Sequence, residues 1–285
     1  MNEKLLHKID NLVQGTILNR PSKNIKSPYV ADVLLENNEE IIAHSPSLGC
    51  CGLADKKSCV LMEPIQTEKC SHRIILSIYE EEKNNNEICQ VIVGIYPKFA
   101  ELLVENALKS NLISILQNIV SYKRETKIFI EGRVDSRFDF SGIDSDNRPF
   151  VLEVKNVPLA DYEDILAKER KNKDYSSRDF NSKVAYFPDG YRKKKGDPIS
   201  PRALKHIREL TILKKEYNKR CILCFVVQRT DIERFQPSTN DPEYRKAILE
   251  SMEAGVEIIV LVIKWTKDGE AIFVKDDLLM TFNDS

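Results

Sequence analysis

Over roughly the first third of the chain, apolar residues come in short alternating runs; after that the period changes. Val30-Ala-Asp-Val-Leu-Leu35 and Glu40-Ile-Ile-Ala43 flank the polar Glu36-Asn-Asn-Glu39, a strand–turn–strand pattern. Apolar runs at 59–63, 73–79 and 88–93 continue it, with turn-rich segments between, and the polar run 80–87 reads as an exposed hairpin loop. Residues 12–95 thus predict a small β-barrel. After Pro97 the spacing becomes helical: Leu102, Leu103, Ala107 and Leu108 define a helix over 98–109, and Ile113, Leu116, Ile119 and Val120 extend it into a second helical piece. Strands are predicted at 127–131, 136–141 and 150–154. A polar stretch follows, then a helix over 201–218, a strand at 222–228, a helix over 242–253 and a strand at 257–264. The change of period places a boundary near 94–98. The expected fold is α/β overall, with a β-barrel over 1–95 and a mixed α/β domain over 96–285.

One strand carries charges where burial would make them costly. In Val151-Leu-Glu153-Val-Lys155 the apolar residues mark a buried strand, and the period of two puts Glu153 and Lys155 on the same face. Two readings fit the pair. It is a surface ion pair of small energetic weight, or it belongs to a site that offsets the desolvation of its charges. A divalent cation held through carboxylate oxygens would do so, with Asp139 arriving from the preceding strand as second ligand and Lys155 steadying a water or a phosphate. This Asp…Glu-x-Lys layout resembles the PD-(D/E)xK nuclease core, and helix, three strands, helix, strand is the order of that core.

Bulk properties narrow the field. A chain of 285 residues with 42% hydrophobic side chains can build two domains. A net charge of −1 supplies no global basic field, so any nucleic-acid contact must come from local patches. No apolar run is long enough to cross a bilayer, and the first ten residues lack the apolar core of a signal peptide. The seven cysteines, an odd number in apolar contexts, argue against a disulfide framework and for a reducing, intracellular setting. Cys50, Cys51, Cys59, Cys70, His44 and His72 match no paired zinc knuckle. Cys221 and Cys224 sit in a buried-strand pattern and are expected in the core.

Nine segments in register resemble the sugar fermentation stimulation protein A (SfsA) family. They are Leu12-Val-Gln-Gly15, Ala43-His-Ser-Pro-Ser-Leu-Gly49, Leu103-Val-Glu-Asn-Ala-Leu108, Ser136-Arg-Phe-Asp-Phe140, Leu152-Glu-Val-Lys-Asn-Val157, Tyr186-Phe-Pro-Asp-Gly190, Arg202-Ala-Leu-Lys-His-Ile-Arg-Glu-Leu210, Phe225-Val-Val-Gln-Arg229 with Asp231 and Phe235-Gln-Pro237, and Ala254-Gly-Val-Glu257. The resemblance implies an OB-like barrel associated with DNA binding and a PD-(D/E)xK nuclease-like domain. It carries metal ligation to Asp139 and Glu153, with Glu105 on the first core helix as a third acid, and makes Asp139, Glu153 and Lys155 the catalytic set. The implied cofactor is Mg²⁺ or Mn²⁺, and the implied partner is DNA, with RNA also open; no membrane partner is expected. A catalytically silent DNA-binding or regulatory protein on the same scaffold is the alternative. Two departures stand out. The family usually has Asn-Thr-Gly after the proline at position 46, where this chain has Ser47-Leu48-Gly49 and then Cys50-Cys51. Residues 161–183 form an insertion, expected as a solvated loop or a lid.

Basic side chains near the implied site are the expected phosphate contacts. Arg192-Lys193-Lys194-Lys195 is the densest run, and Arg202 and Lys205 follow on the next helix, beside His206 and Arg208. Leu204, Ile207, Leu210 and Leu213 take that helix's core face, leaving the basic residues and His206 to other faces. Arg133, Arg137, Arg229 and Arg234 are further candidates, while Tyr29 and Phe99 are read as packing residues.

Overall fold

A computed structural model describes residues 3–45, 52–84, 86–188 and 198–282. The Arg192–Lys195 run and the Pro46–Cys51 departure lie outside the described residues. In chain order the first strands are β1 (Lys4–Lys8), β2 (Val13–Asn19), β3 (Val30–Leu35), β4 (Glu40–His44), β5 (Cys59–Pro64), β6 (His72–Glu82) and β7 (Ile88–Gly94). Strands β2 to β7 make a six-stranded sheet in the order β4-β3-β2-β5-β6-β7. It curls round because β4 also pairs in parallel with β6, through Ala43↔His72 and His44↔Arg73. Ile17, Ala31, Val33, Val60, Met62, Ile74 and Val93 fill its interior. The predicted barrel strands are therefore present, in an OB-like arrangement.

The remaining elements are α1 (Lys98–Lys109), β8 (Ser121–Ile130), β9 (Val134–Ile143), β10 (Pro149–Val157), β11 (Ala160–Asp161), α2 (Ala167–Arg170), β12 (Lys183–Phe187), α3 (Pro201–Tyr217), β13 (Arg220–Val227), β14 (Ile232–Pro237), α4 (Pro242–Glu253), β15 (Glu257–Trp265) and β16 (Glu270–Lys275). A seven-stranded sheet runs β1-β16-β15-β13-β10-β9-β8. Its centre, β10, β13 and β15, is parallel and buried on both faces, hence the near-continuous apolar runs. Ile222, Cys224 and Val226 of β13 pack toward α1, while Cys221, Leu223, Phe225 and Val227 pack toward α3 and α4. The two cysteines are core residues on opposite faces, as their spacing predicts.

Several expectations change. The second helical piece shrinks to a single 3₁₀ turn, Ser114–Leu116. Asn111 and Asn118 on either side take left-handed backbone, each at φ 51°, which ends helical propagation, and β8 begins at Ser121. The first strand belongs to the far domain's sheet, since β1 pairs antiparallel with β16. Gly94 closes the junction between the domains: its amide donates to Gln228 O at 2.9 Å. A Cβ there would run into the side chains of Gln228 and Trp265, so the approach requires glycine.

The insertion is the largest departure. It is a built connection, with β11, β12 and β14 forming a third small sheet. Asp164 is buried and accepts from Gln236 Nε2 at 2.8 Å, Ser238 Oγ at 2.9 Å and Thr239 N at 2.7 Å. Lys183 is 1% exposed and reaches Asp231 Oδ2 at 3.1 Å and Glu81 Oε2 at 3.3 Å. Its ammonium lies 3.6 Å from the ring centre of Phe180 and 4.7 Å from that of Tyr162. Glu81 also accepts from Tyr162 OH at 2.7 Å, so the β6–β7 hairpin, exposed at its turn as expected, is tied to the insertion at one side chain. Lys183 finds its counter-charges on other elements, which one chain segment read alone cannot disclose, whereas Arg170 pairs with Asp161 and Lys173 with Glu163 inside the segment itself.

Candidate active site

Strands β9 and β10 pair from Pro149↔Ile143 to Leu152↔Phe140 and then part. Asp139 stands where they part, opposite Glu125, whose left-handed φ of 51° interrupts the ladder on the other side. The Val154 amide, released from strand pairing on that side, donates to Asp139 Oδ2 at 2.7 Å. Glu153 and Lys155 project from the same face of β10, as the period requires. The ammonium of Lys155 donates to Glu153 Oε1. Glu153 is 2% exposed, so the surface ion-pair reading fails.

A second partner comes from α3. His206 Nδ1 donates to the same Glu153 Oε1, and the imidazole tilts against Phe138 with ring centres 5.8 Å apart. His206 is 4% exposed, which corrects its placement on a basic outer face. Ala203, His206, Ile207, Leu210 and Leu213 form one buried stripe at i, i+3, i+4, i+7 and i+10. That spacing was the available signal; reading histidine as a basic residue hid it.

With Oε1 held twice, Glu153 Oε2 is buried with no hydrogen-bond partner. An orphaned buried carboxylate oxygen costs free energy unless something else binds it. Burial would raise the Glu153 carboxyl, yet Lys155 and His206 outweigh it and hold the group below the usual carboxylate range. Asp139 behaves oppositely. Burial and the neighbouring Glu153 charge push it up to about 7, with the Val154 amide and Lys155 opposing. One carboxylate is thus held ionised while its neighbour resists ionisation, the pattern of two acids that share one site.

The donor set fits Mg²⁺ or Mn²⁺. Among the described residues no group of three His, Cys, Asp or Glu side chains is placed to hold an ion. Mg²⁺ characteristically takes one or two carboxylates and fills its remaining positions with water and substrate phosphate. The third implied acid is engaged elsewhere. Glu105 accepts from Tyr122 OH at 2.9 Å and from Arg124 at 2.7 Å, and pairs with Lys109 at 3.0 Å. The acid on α1 whose charge reaches Asp139 is Glu101, one turn earlier.

Of the expected phosphate contacts, Arg202 is exposed. Lys205 is also exposed, and it donates to Asp135 O at 2.5 Å. Arg133 pairs with Glu216, Arg137 with Glu125 at 2.9 Å, and Arg234 with Glu233. Arg229 is buried at 2% and bidentate on Asp231, with both contacts at 2.6 Å. It holds the fold and cannot meet phosphate. Among the described residues no helix is long and apolar enough to cross a membrane.

Two measurements probe this centre directly. In chelator, Asp139 is protonated in the native state and ionised in the unfolded state between about pH 4 and 7. Its contribution to stability is complete below the unfolded pKa and is lost as pH rises through about 7, amounting to about 4 kcal/mol at roughly 1.36 kcal/mol per unit. Urea unfolding of wild type and Asp139→Asn at pH 5 and 8 should show this decline only in wild type; parallel pH profiles would contradict it. His206→Ala should weaken Mn²⁺ binding about 10–100-fold by calorimetry while the fold is kept, with His206→Asn recovering part of the loss. Unchanged affinity in His206→Ala would remove the histidine from the site.

The family comparisons agree with this architecture. The model of the sugar fermentation stimulation protein RE domain matches residues 98–168 and 169–269, more than half of the chain. The sugar fermentation stimulation protein homolog of Shewanella woodyi is 29% identical over 255 residues, covering 86% of this chain and 88% of its own. The homolog of Clostridium novyi is 28% identical over 254 residues, covering 88% and 90%. The structure of Pyrococcus furiosus SfsA in complex with Ca²⁺ superposes with a TM-score of 0.71 at 20% identity, covering 98% of this chain and 99% of that one. The segments in register, the sheet order and these matches converge, and the chain belongs to the sugar fermentation stimulation protein family.

Proposed function

We propose that the protein is a divalent-metal-dependent nuclease that binds DNA and hydrolyses its phosphodiester bonds. The observation that carries this is Glu153: one oxygen is fixed by Lys155 and His206, the other is buried and unpartnered, and its charge acts on the neighbouring Asp139. Asp139 and Glu153 would hold Mg²⁺ or Mn²⁺, which supplies charge stabilisation at phosphorus and an acidified water. Lys155 keeps Glu153 ionised and holds a positive charge beside the reacting phosphate, where negative charge grows in the transition state. His206 shares Oε1 with Lys155 and fixes the carboxylate's orientation, leaving Oε2 as the oxygen that would bind the cation. The structure of the Pyrococcus furiosus relative in complex with Ca²⁺ supports a divalent cation in this reading.

Exposed Arg202 on α3 and the Arg192–Lys195 run preceding it supply backbone contacts in this reading. The test is cleavage of single- and double-stranded DNA and RNA by purified protein in Mg²⁺, in Mn²⁺ and in chelator. Metal-dependent cleavage is expected. Its absence on all four substrates would reject the nuclease and leave a DNA-binding scaffold.

A further inference from the structure

On the barrel side of α1 lies an open pocket of about 820 Å³ that the metal centre does not use. Its walls bring together Tyr29, His44, Arg73 and Tyr96, with Lys69 and Lys98 among the remaining lining residues. The curl of the sheet assembles it. Val30 pairs with His44 across β3 and β4, and His44 pairs with Arg73 where β4 meets β6. Tyr29 is 40% exposed, so it is not the packing residue its sequence context predicts. Its ring lies nearly parallel to that of His44, at 8° with centres 6.5 Å apart. The guanidinium of Arg73 sits 5.3 Å from the centre of Tyr96 and is fixed by Glu63 at 2.9 Å. Phe99, by contrast, packs edge-on against Tyr96.

These groups are held before any ligand arrives. The Tyr29 carbonyl accepts from Ser45 N at 2.8 Å, fixing the backbone that presents the ring. Lys69 and Lys98 are exposed, and among the described residues neither has an ion-pair partner. Flat π-faces and a fixed guanidinium over an aromatic ring, with free ammonium groups beside them, match an unpaired base and its phosphate. Bases inside a duplex already stack on one another and cannot offer their faces. Lys98 also begins α1, and that helix packs against β10, the strand that carries Glu153 and Lys155. Pocket and metal centre therefore adjoin the same helix.

We propose that this pocket binds an unpaired nucleobase with its phosphate, so that the protein engages nucleic acid through a single-stranded segment. The proposal rests on the nucleic-acid reading above but not on catalysis, and its test is run in chelator, where cleavage plays no part.

Fluorescence anisotropy is measured with labelled oligothymidylate, labelled oligouridylate, a duplex of equal length and an abasic strand of equal length. Wild type should bind at least one of the single strands more tightly than the duplex, and the tighter of the two identifies the sugar. Tyr29→Ala should weaken that binding about 5- to 100-fold, the usual worth of one stacked base, while Tyr29→Phe retains it. The abasic strand should bind wild type and Tyr29→Ala alike. Undiminished single-strand binding by Tyr29→Ala would overturn the proposal. So would an equal loss on the abasic strand, or a duplex bound as tightly with the same dependence on Tyr29. A failed cleavage assay leaves these outcomes readable, so the two readings fail separately.

Discussion

Glu153→Gln is expected to lower metal-dependent cleavage by at least about a hundredfold while leaving the fold intact. The amide keeps the shape of the carboxylate, and its oxygen can still accept from Lys155 and His206. That choice forces the NH₂ group into the position of the unpartnered oxygen, where it presents donors to a cation instead of a lone pair. Nucleic-acid binding in chelator should survive or tighten, because one negative charge fewer faces the phosphates. Lys155→Ala should also abolish cleavage, by another route. Removing a cation makes the centre more negative, so Mn²⁺ affinity should hold or rise while transition-state stabilisation is lost. Cleavage by Glu153→Gln at the wild-type rate would end the nuclease reading, whatever the metal affinity.

Asp231→Ala should be the most damaging single change outside the candidate active site. Asp231 is 1% exposed and answers two buried cations: Arg229, bidentate at 2.6 Å, and Lys183 at 3.1 Å. Truncation leaves both charges buried with less compensation, and breaking such a pair costs about 3–5 kcal/mol. Against a total stability of roughly 5–15 kcal/mol, that brings the protein close to unfolding at ordinary temperatures. Burial would raise the Asp231 carboxyl, but Arg229 and Lys183 outweigh it and hold the group below the usual range. Its contribution is therefore present above the unfolded value of about 3.9 and fades as pH falls through the lower folded pKa. Urea denaturation of wild type and Asp231→Ala at neutral pH measures the loss. A difference under about 1 kcal/mol would mean that the cluster is hydrated and contributes little.

How much of this could be read before folding differs from residue to residue. Glu153 and Lys155 share a face because strand periodicity is local and exact in parity, and the apolar Val151, Leu152 and Val154 around them mark the strand as buried. The two central parallel strands after β10 were equally plain, since a strand covered on both faces must be apolar throughout. Edge strands were harder. β1 and β14, at sheet edges, are short, partly exposed and mixed in polarity, so no local period separates them from loops; they exist because a neighbour offers free backbone groups. The insertion misled for a related reason. Most of its charges are exposed, as their density suggests, but only the meeting of Glu81, Lys183 and Asp231 shows that its last lysine is buried among counter-charges.

The sequence by itself determined the parallel core, the barrel-then-α/β order, the shared face of Glu153 and Lys155, and the arrival of Asp139 from the preceding strand. These depend on local periodicity and on the order of elements along the chain. Only the tertiary structure decided that His206 turns inward to the same carboxylate oxygen as Lys155, that Glu105 is engaged by Tyr122 and Arg124, and that Tyr29 stands exposed beside His44. Each of these depends on how one element is rotated or set against another distant in sequence. Rotation is fixed by the packing of whole faces, which no short stretch of residues encodes alone.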